Sequence, residues 1–288
     1  MPQEINEIYK SCNLCPRECK IDRTNFSSGT CGLYSKLKIA SFGPHYGEEP
    51  EIVGRTASGT IFLSGCNLHC CFCQNFDISH QNNGIDYSID ELTDILLYLE
   101  NLGCDNINLV TPTHFTPSLI NSILKAKSYG LSIPIIYNTS GFEKVEILKM
   151  WEGIIDIYMP DLKFVDSEKS KLYCNCPEYF EFAAQAVKEM HRQKGDLIIK
   201  NGIAKRGLLI RHLILPNNQS DTKDIIDFVA EELGLNTYLN LMDQYRPMYN
   251  AYQNQKLIAR IDKDELLRYV DYAKSMGFTR PDWLYSDR

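Results

Sequence analysis

Cys66, Cys70 and Cys73 fall within eight residues, in the run Gly65-Cys66-Asn67-Leu68-His69-Cys70-Cys71-Phe72-Cys73-Gln74-Asn75. Thiolates spaced C-x3-C-x2-C can hold three corners of a cubic iron-sulfur cluster. No fourth cysteine lies at ligand spacing around them, so a cluster held this way keeps one iron open. An open iron is a place for chemistry and not only for electron storage. Zinc would ask for a fourth donor, and His69, the nearest, sits inside the loop that must wrap the metal. Cys71 fits no ligand position and reads as a packing residue.

A second group lies near the start of the chain. Cys12, Cys15, Cys19 and Cys31 are spaced C-x2-C-x3-C-x11-C, with Pro16 and Gly29 supplying turns. Four thiolates can close around one structural zinc ion or around an auxiliary cluster with no open iron, and the spacing fits both. Eleven cysteines in one chain point to metal or cluster chemistry under reducing conditions rather than to a disulfide framework. Cys174 and Cys176 read as loop thiols and Cys104 as a buried one.

These groups need a scaffold. The 288 residues are 44% hydrophobic, enough for one large α/β core. Short β-rich runs are expected at Thr60 to Ser64, Asn106 to Val110, Ile133 to Asn138, Ile154 to Met159, Leu208 to Leu215 and Tyr238 to Met242. Helical patterns fall at Ile89 to Leu102, Pro117 to Tyr129, Glu143 to Trp151, Tyr179 to Gln193, Thr222 to Leu233 and Lys263 to Met276. Such alternation requires parallel pairing with right-handed crossovers. It fits an open doubly wound sheet or a barrel, and in both the functional groups gather at the carboxyl ends of the strands. The predicted strands do end on polar residues: Gly65-Cys66, Thr111-Pro112-Thr113-His114, Asn138-Thr139-Ser140-Gly141, Pro160-Asp161-Leu162-Lys163 and Gln244-Tyr245-Arg246-Pro247.

The three-cysteine motif, the strand before it and Phe72 within it resemble the radical S-adenosylmethionine superfamily. The resemblance implies a 4Fe-4S cluster on Cys66, Cys70 and Cys73 whose open iron chelates S-adenosylmethionine. It also implies a 5'-deoxyadenosyl radical that abstracts a hydrogen atom, and a partial (β/α)6 TIM-like barrel. Around it would stand an N-terminal Cys-rich element and a C-terminal helical extension, with boundaries at residues 1–56, 57–250 and 251–288. Within the superfamily the chain looks like the activating enzymes of glycyl radical proteins, of the pyruvate formate-lyase-activase type. Asn138-Thr139-Ser140-Gly141 matches an Asp-Thr-Asn-Gly segment of that type, and Met159-Pro160-Asp161-Leu162-Lys163 carries its Asp-x-Lys motif. By this likeness Phe72, Thr111, Thr113, Asn138, Thr139, Asp161, Lys163 and Arg211 would contact the cofactor. Two positions depart from the pattern: Thr111-Pro112-Thr113-His114 replaces a Gly-Gly-Glu-like segment, and Asn138 replaces an aspartate. The implied partners are a flavodoxin or ferredoxin as electron donor and a glycyl radical enzyme as substrate. For a small-molecule or peptide substrate, His114 and Tyr245 would line the pocket.

The net charge of -7, with no basic block, excludes a nucleic-acid partner. No apolar run is long enough to span a bilayer, and the polar start lacks a signal peptide's regions, so a cytoplasmic protein is expected. A non-catalytic zinc or electron-transfer module would leave the polar strand tips unexplained. His45, Glu48 and Glu49 sit in a turn-rich segment ahead of the first barrel strand and read as loop residues unless the fold brings them to the barrel mouth.

Overall fold

The computed structural model describes residues 7–25 and 28–278. One sheet contains β1 (Leu37–His45), β2 (Ser58–Leu63), β3 (Ile85–Tyr87), β4 (Asn106–Val110), β5 (Ile135–Thr139), β6 (Ile157–Pro160), β7 (Ile198–Lys200), β8 (Ile203–Leu213) and β9 (Tyr238–Met242). Six of them, in the order β2-β4-β5-β6-β8-β9, pair in parallel. This is the run of a partial TIM-like barrel. β1 extends the sheet antiparallel to β2, β3 pairs with β1, and β7 forms a hairpin with β8. The sheet therefore begins at residue 37, inside the segment expected to be a lead-in.

The helices include α1 (Pro50–Val53), α2 (Phe76–Ser79), α3 (Ile89–Asn101), α4 (Thr116–Ser128), α5 (Val145–Met150), α6 (Ser167–Cys174), α7 (Tyr179–Lys194), α8 (Thr222–Glu232) and α9 (Lys263–Met276). Local chemistry sets their ends. At α3 the Ser88 hydroxyl accepts from the Glu91 amide while Glu91 accepts from the Ser88 amide, a reciprocal cap worth about 1 kcal/mol. Asp166 caps α6 by accepting from the amides of Glu168 and Lys169. Asn175 ends that helix in the left-handed conformation that asparagine tolerates.

Alternation along the strands sorts side chains into two environments. On β5, Ile135 and Tyr137 face the large core shared with the helices, whereas Ile136 joins Ile52, Ile157, Met159, Leu209 and Tyr238 in a smaller cluster on the lumen side. Each fully buried aliphatic side chain contributes about 1.5–3 kcal/mol. Because β1 runs antiparallel to β2, with His45 opposite Ser58, the chain leaves β1 beneath the amino ends of the barrel strands. There α1 plugs the lumen: the Ile52 carbonyl accepts from Asn106 and the Glu51 carboxylate from Tyr238. The site is thereby closed below and open at the carboxyl ends. No helix among the described residues is long and apolar enough to cross a membrane.

Candidate active site

At the end of β2 the chain turns through Gly65, whose φ of 80° and close approach to Cys31 and Leu33 leave no room for a side chain. The loop beyond presents Cys66, Cys70 and Cys73 to a cavity of about 390 Å³ at the carboxyl ends of the strands. Polar groups already face the sulfurs: the Leu68 amide donates to Cys66 Sγ at 3.4 Å, and Ser79 Oγ lies 3.2 Å from Cys73 Sγ. Such contacts orient thiolates and tune the metal they hold. Burial pushes the Cys66 and Cys73 thiols up, whereas the hydrogen bond from Cys174 pulls Cys70 down. Cys174 departs from its reading as a loop thiol. It ends α6, fully buried, with its Sγ 3.2 Å from Cys70 Sγ. Cys71 is not among the cavity-lining residues, and its amide is bound to the Tyr173 carbonyl.

The strand tips supply the other walls. Phe72, Thr111, Asn138, Thr139, Asp161, Lys163 and Arg211 all line the cavity. Lys163 Nζ donates to Asp161 Oδ2 at 2.5 Å; burial alone would lower its pKa, but the charges of Asp161 and Cys70 raise it well above its ordinary value. Thr111 has φ of 59°, a strained state for a β-branched residue that costs about 1–3 kcal/mol and tends to occur where function requires it. Its amide donates to the Asn138 carbonyl at 2.8 Å. Gly141, at φ of 83°, lets the next turn pass against the Asp161 carbonyl.

Thr113 is the expected cofactor residue that the fold takes away from the cavity. It is buried, and its hydroxyl donates to Glu143 Oε1 at 2.6 Å. Thr139 Oγ1 donates to the same carboxylate, and Tyr137 Oη donates to the other oxygen at 3.3 Å. Thr139 thus lines the cavity with its hydroxyl committed elsewhere. Burial raises the Glu143 carboxyl to about 7, although all three hydroxyls act in the opposite direction. His114 and Tyr245, expected beside a small substrate, also lie outside the cavity lining. His114 donates to the Ser64 carbonyl at 2.7 Å and Tyr245 to the Leu257 carbonyl at 2.7 Å. Burial, helped by Arg23, lowers the His114 pKa to about 3.

The floor of the cavity was not legible as a site. His45 and Glu48 line it together with Arg211; His45 ends β1 and Glu48 lies in the loop that follows. Arg211 donates to both Glu48 and Glu49, and Asn240 adds a 2.6 Å bond to Glu49. Asn108 donates to Glu48 Oε1 at 2.9 Å, while its own Oδ1 is buried without a partner. Burial opposes the charges on Arg211 and Glu49, yet each holds the other ionised. Arg211 carries these bonds on Nε and Nη2.

The N-terminal cysteines stand apart from this cavity. Cys12, Cys15, Cys19 and Cys31 line a small void of their own together with Arg23 and His114.

A model of the radical SAM superfamily matches residues 60–229, more than half of the chain. The chain belongs to that superfamily. It is 32% identical over 276 residues to the uncharacterized protein MJ0674 of Methanocaldococcus jannaschii, covering 93% of this chain and 75% of that one. A second uncharacterized protein of that organism, MJ0808, is 23% identical over 270 residues. Among solved structures, Streptococcus suis SuiB bound to precursor peptide SuiA matches at TM-score 0.49 and 15% identity, covering 73% of this chain and 43% of that chain. A domain of pyruvate-formate lyase-activating enzyme from Bacteroides vulgatus matches at TM-score 0.38 and 12% identity, covering 67% and 89%.

Radical SAM enzymes work with a 4Fe-4S cluster and S-adenosylmethionine, and the residues present fit both. Three thiols with donors facing two of them suit a cluster. A cavity of this size, part apolar and part charged, suits a nucleoside-sized cofactor.

Proposed function

We propose that this radical SAM enzyme abstracts a hydrogen atom from a polypeptide substrate, with a backbone glycine of a partner enzyme as the leading case. The observation that carries the chemistry is the convergence of Cys66, Cys70 and Cys73 with Asp161, Lys163, Thr111 and Asn138 on one cavity. When bound, the cluster and S-adenosylmethionine supply a one-electron cleavage that yields the 5'-deoxyadenosyl radical. The chain's own residues hold and orient. The three cysteines would ligate the cluster, Lys163 would offer its ammonium to the methionine carboxylate, and the Phe72 backbone would meet the adenine. Phe62, Leu63, Leu68, Leu213 and Met242 would keep water from the reacting centre.

A polypeptide substrate is supported by the room available. A cavity of about 390 Å³ lies near the lower end of ligand-pocket sizes, so cofactor and one reacting residue would fill it and the rest of the substrate would stay outside. The activase-like Met159-Pro160-Asp161-Leu162-Lys163 segment points the same way. A second reading, a small polar substrate, is favoured by the charged floor of Glu48 and Arg211. The reductant would be a low-potential carrier such as a flavodoxin or ferredoxin.

Anaerobic enzyme with reconstituted iron and sulfide, reduced in the presence of S-adenosylmethionine, should release 5'-deoxyadenosine, and Cys70→Ala should release none. Equal release from the variant would reject the site. For the substrate, a glycyl radical signal should appear on a candidate partner mixed with the active enzyme. Deuterium transfer into 5'-deoxyadenosine from a small molecule would decide for the second reading.

A further inference from the structure

The four cysteines near the start of the chain are not used by the site above, and their surroundings carry an assignment. Cys12 is buried, while Cys15, Cys19 and Cys31 are partly so. Between them and the protein interior lies Arg23, 1% exposed. Its guanidinium donates to the carbonyls of Leu33, Tyr34 and His114 and to Cys12 Sγ at 3.7 Å. Among the described residues no carboxylate forms an ion pair with it. A buried cation without a counter-charge is costly, and ionised thiolates at Cys12 and Cys31 would supply one. Thiols turn into thiolates when they ligate metal.

The four cysteines share one void, and its position bears on which metal they hold. The Cys31 carbonyl packs on Gly65, next to Cys66. His69 Nε2 bonds the Thr30 carbonyl at 2.9 Å, and its ring lies 5.3 Å from that of His80. His80 Nδ1 in turn bonds Ser79 Oγ, which touches Cys73 Sγ. On the other side Arg23 joins Cys12 to His114, whose ring holds the Ser64 carbonyl. Arg17 fastens the loop by donating to the Asn67 carbonyl at 3.0 Å.

We propose that Cys12, Cys15, Cys19 and Cys31 hold a second, cubic iron-sulfur cluster, fully ligated by protein, and that electrons reach the first cluster through it. An external flavodoxin- or ferredoxin-type carrier gives up one electron, which passes by way of the second cluster to the one on Cys66, Cys70 and Cys73. Each transfer moves one electron, and no bond in the chain is made or broken. The assignment goes beyond the proposed function and rests on it only for the destination of the electron.

The test is metal and sulfide analysis of the full chain after anaerobic reconstitution, with low-temperature paramagnetic resonance. Two cubic clusters give about eight irons per chain, and one gives about four. The wild type should hold about eight and no zinc, and the Cys66→Ala, Cys70→Ala, Cys73→Ala triple variant about four, with a reduced signal that S-adenosylmethionine leaves unchanged. The wild-type count decides even where the triple variant fails to fold. About four irons with one zinc, or about four with nothing else, would overturn the proposal. A Cys12→Ser, Cys15→Ser variant should keep about four irons and be reduced by the carrier at least ten-fold more slowly; an unchanged rate would overturn the relay. If the reduced signal of that variant does not respond to S-adenosylmethionine, the proposed function fails while the second cluster stands.

Discussion

Glu143 offers a sharp test of how the site is held together, because its charge state should change near neutral pH. The carboxyl is 1% exposed and receives hydrogen bonds from Thr113, Thr139 and Tyr137. Burial raises it from 4.5 to about 7. A shift of that size corresponds to about 3 kcal/mol at 1.36 kcal/mol per unit. The sign follows from proton linkage. Between about pH 4.5 and 7 the folded chain keeps this proton and the unfolded chain has lost it, so the Glu143 contribution to stability falls as pH rises through that window and levels off above it. Glu143→Gln removes the titration and retains a neutral side chain of the same shape. The variant should match wild type near pH 5 and exceed it by about 2–3 kcal/mol at pH 8.5, where the wild type must hold a buried carboxylate. Anaerobic urea denaturation of both proteins at a series of pH values measures the difference directly. Buried His114 and His212, with pKa values lowered to about 3 and 4 chiefly by burial, weaken both proteins alike as pH falls below about 6.5 and cancel from it. A difference that stays constant across pH would refute the reasoning.

Replacing Arg211 with methionine leaves Glu48 and Glu49 facing each other without their cation; stability should drop by about 3–5 kcal/mol, and adding Glu48→Gln and Glu49→Gln should restore most of it in the same denaturation assay. If the single variant is as stable as wild type, the floor network is not buried as described. Gly141→Ala places a methyl group against the Asp161 carbonyl at a φ of 83°; strain alone should cost about 1–3 kcal/mol, and S-adenosylmethionine affinity measured by equilibrium dialysis should weaken at least ten-fold. Unchanged affinity would mean that the Asp161 tip does not help to hold the cofactor.

The elements most legible in the sequence were those with a sustained apolar pattern. β4 and β9 and helix α9 have the limits expected from pattern alone, because a strand covered on both faces reads as an apolar run and an amphipathic helix keeps its period. β1 was missed for the opposite reason. Beyond Ile39 it is half-exposed or exposed and contains Gly43 and Pro44, which read as a turn and not as a strand at the flank of a sheet. Helix α6, Ser-Glu-Lys-Ser-Lys-Leu-Tyr-Cys, has too few apolar residues to show a period, and its start is marked only by the Asp166 cap.

The same physics divides the site. Cys66, Cys70 and Cys73 were recognisable because one loop must wrap one cluster, so the ligands are close in sequence as well as in space. The partners of Arg211 lie 163 and 162 residues away, and they meet it only because β1 runs antiparallel and returns the chain beneath the barrel. No local spacing encodes that. One sign was nevertheless available: an arginine inside an otherwise apolar predicted strand needs a buried counter-charge, and Glu48-Glu49 was the carboxylate pair ahead of the first barrel strand. Cys174 gave no such sign, since its approach to Cys70 spans 104 residues and depends on a helix with no visible period. Interactions that cross the barrel are therefore the part of a radical SAM site that only the fold reveals, and here they include the charged floor beneath the cofactor cavity.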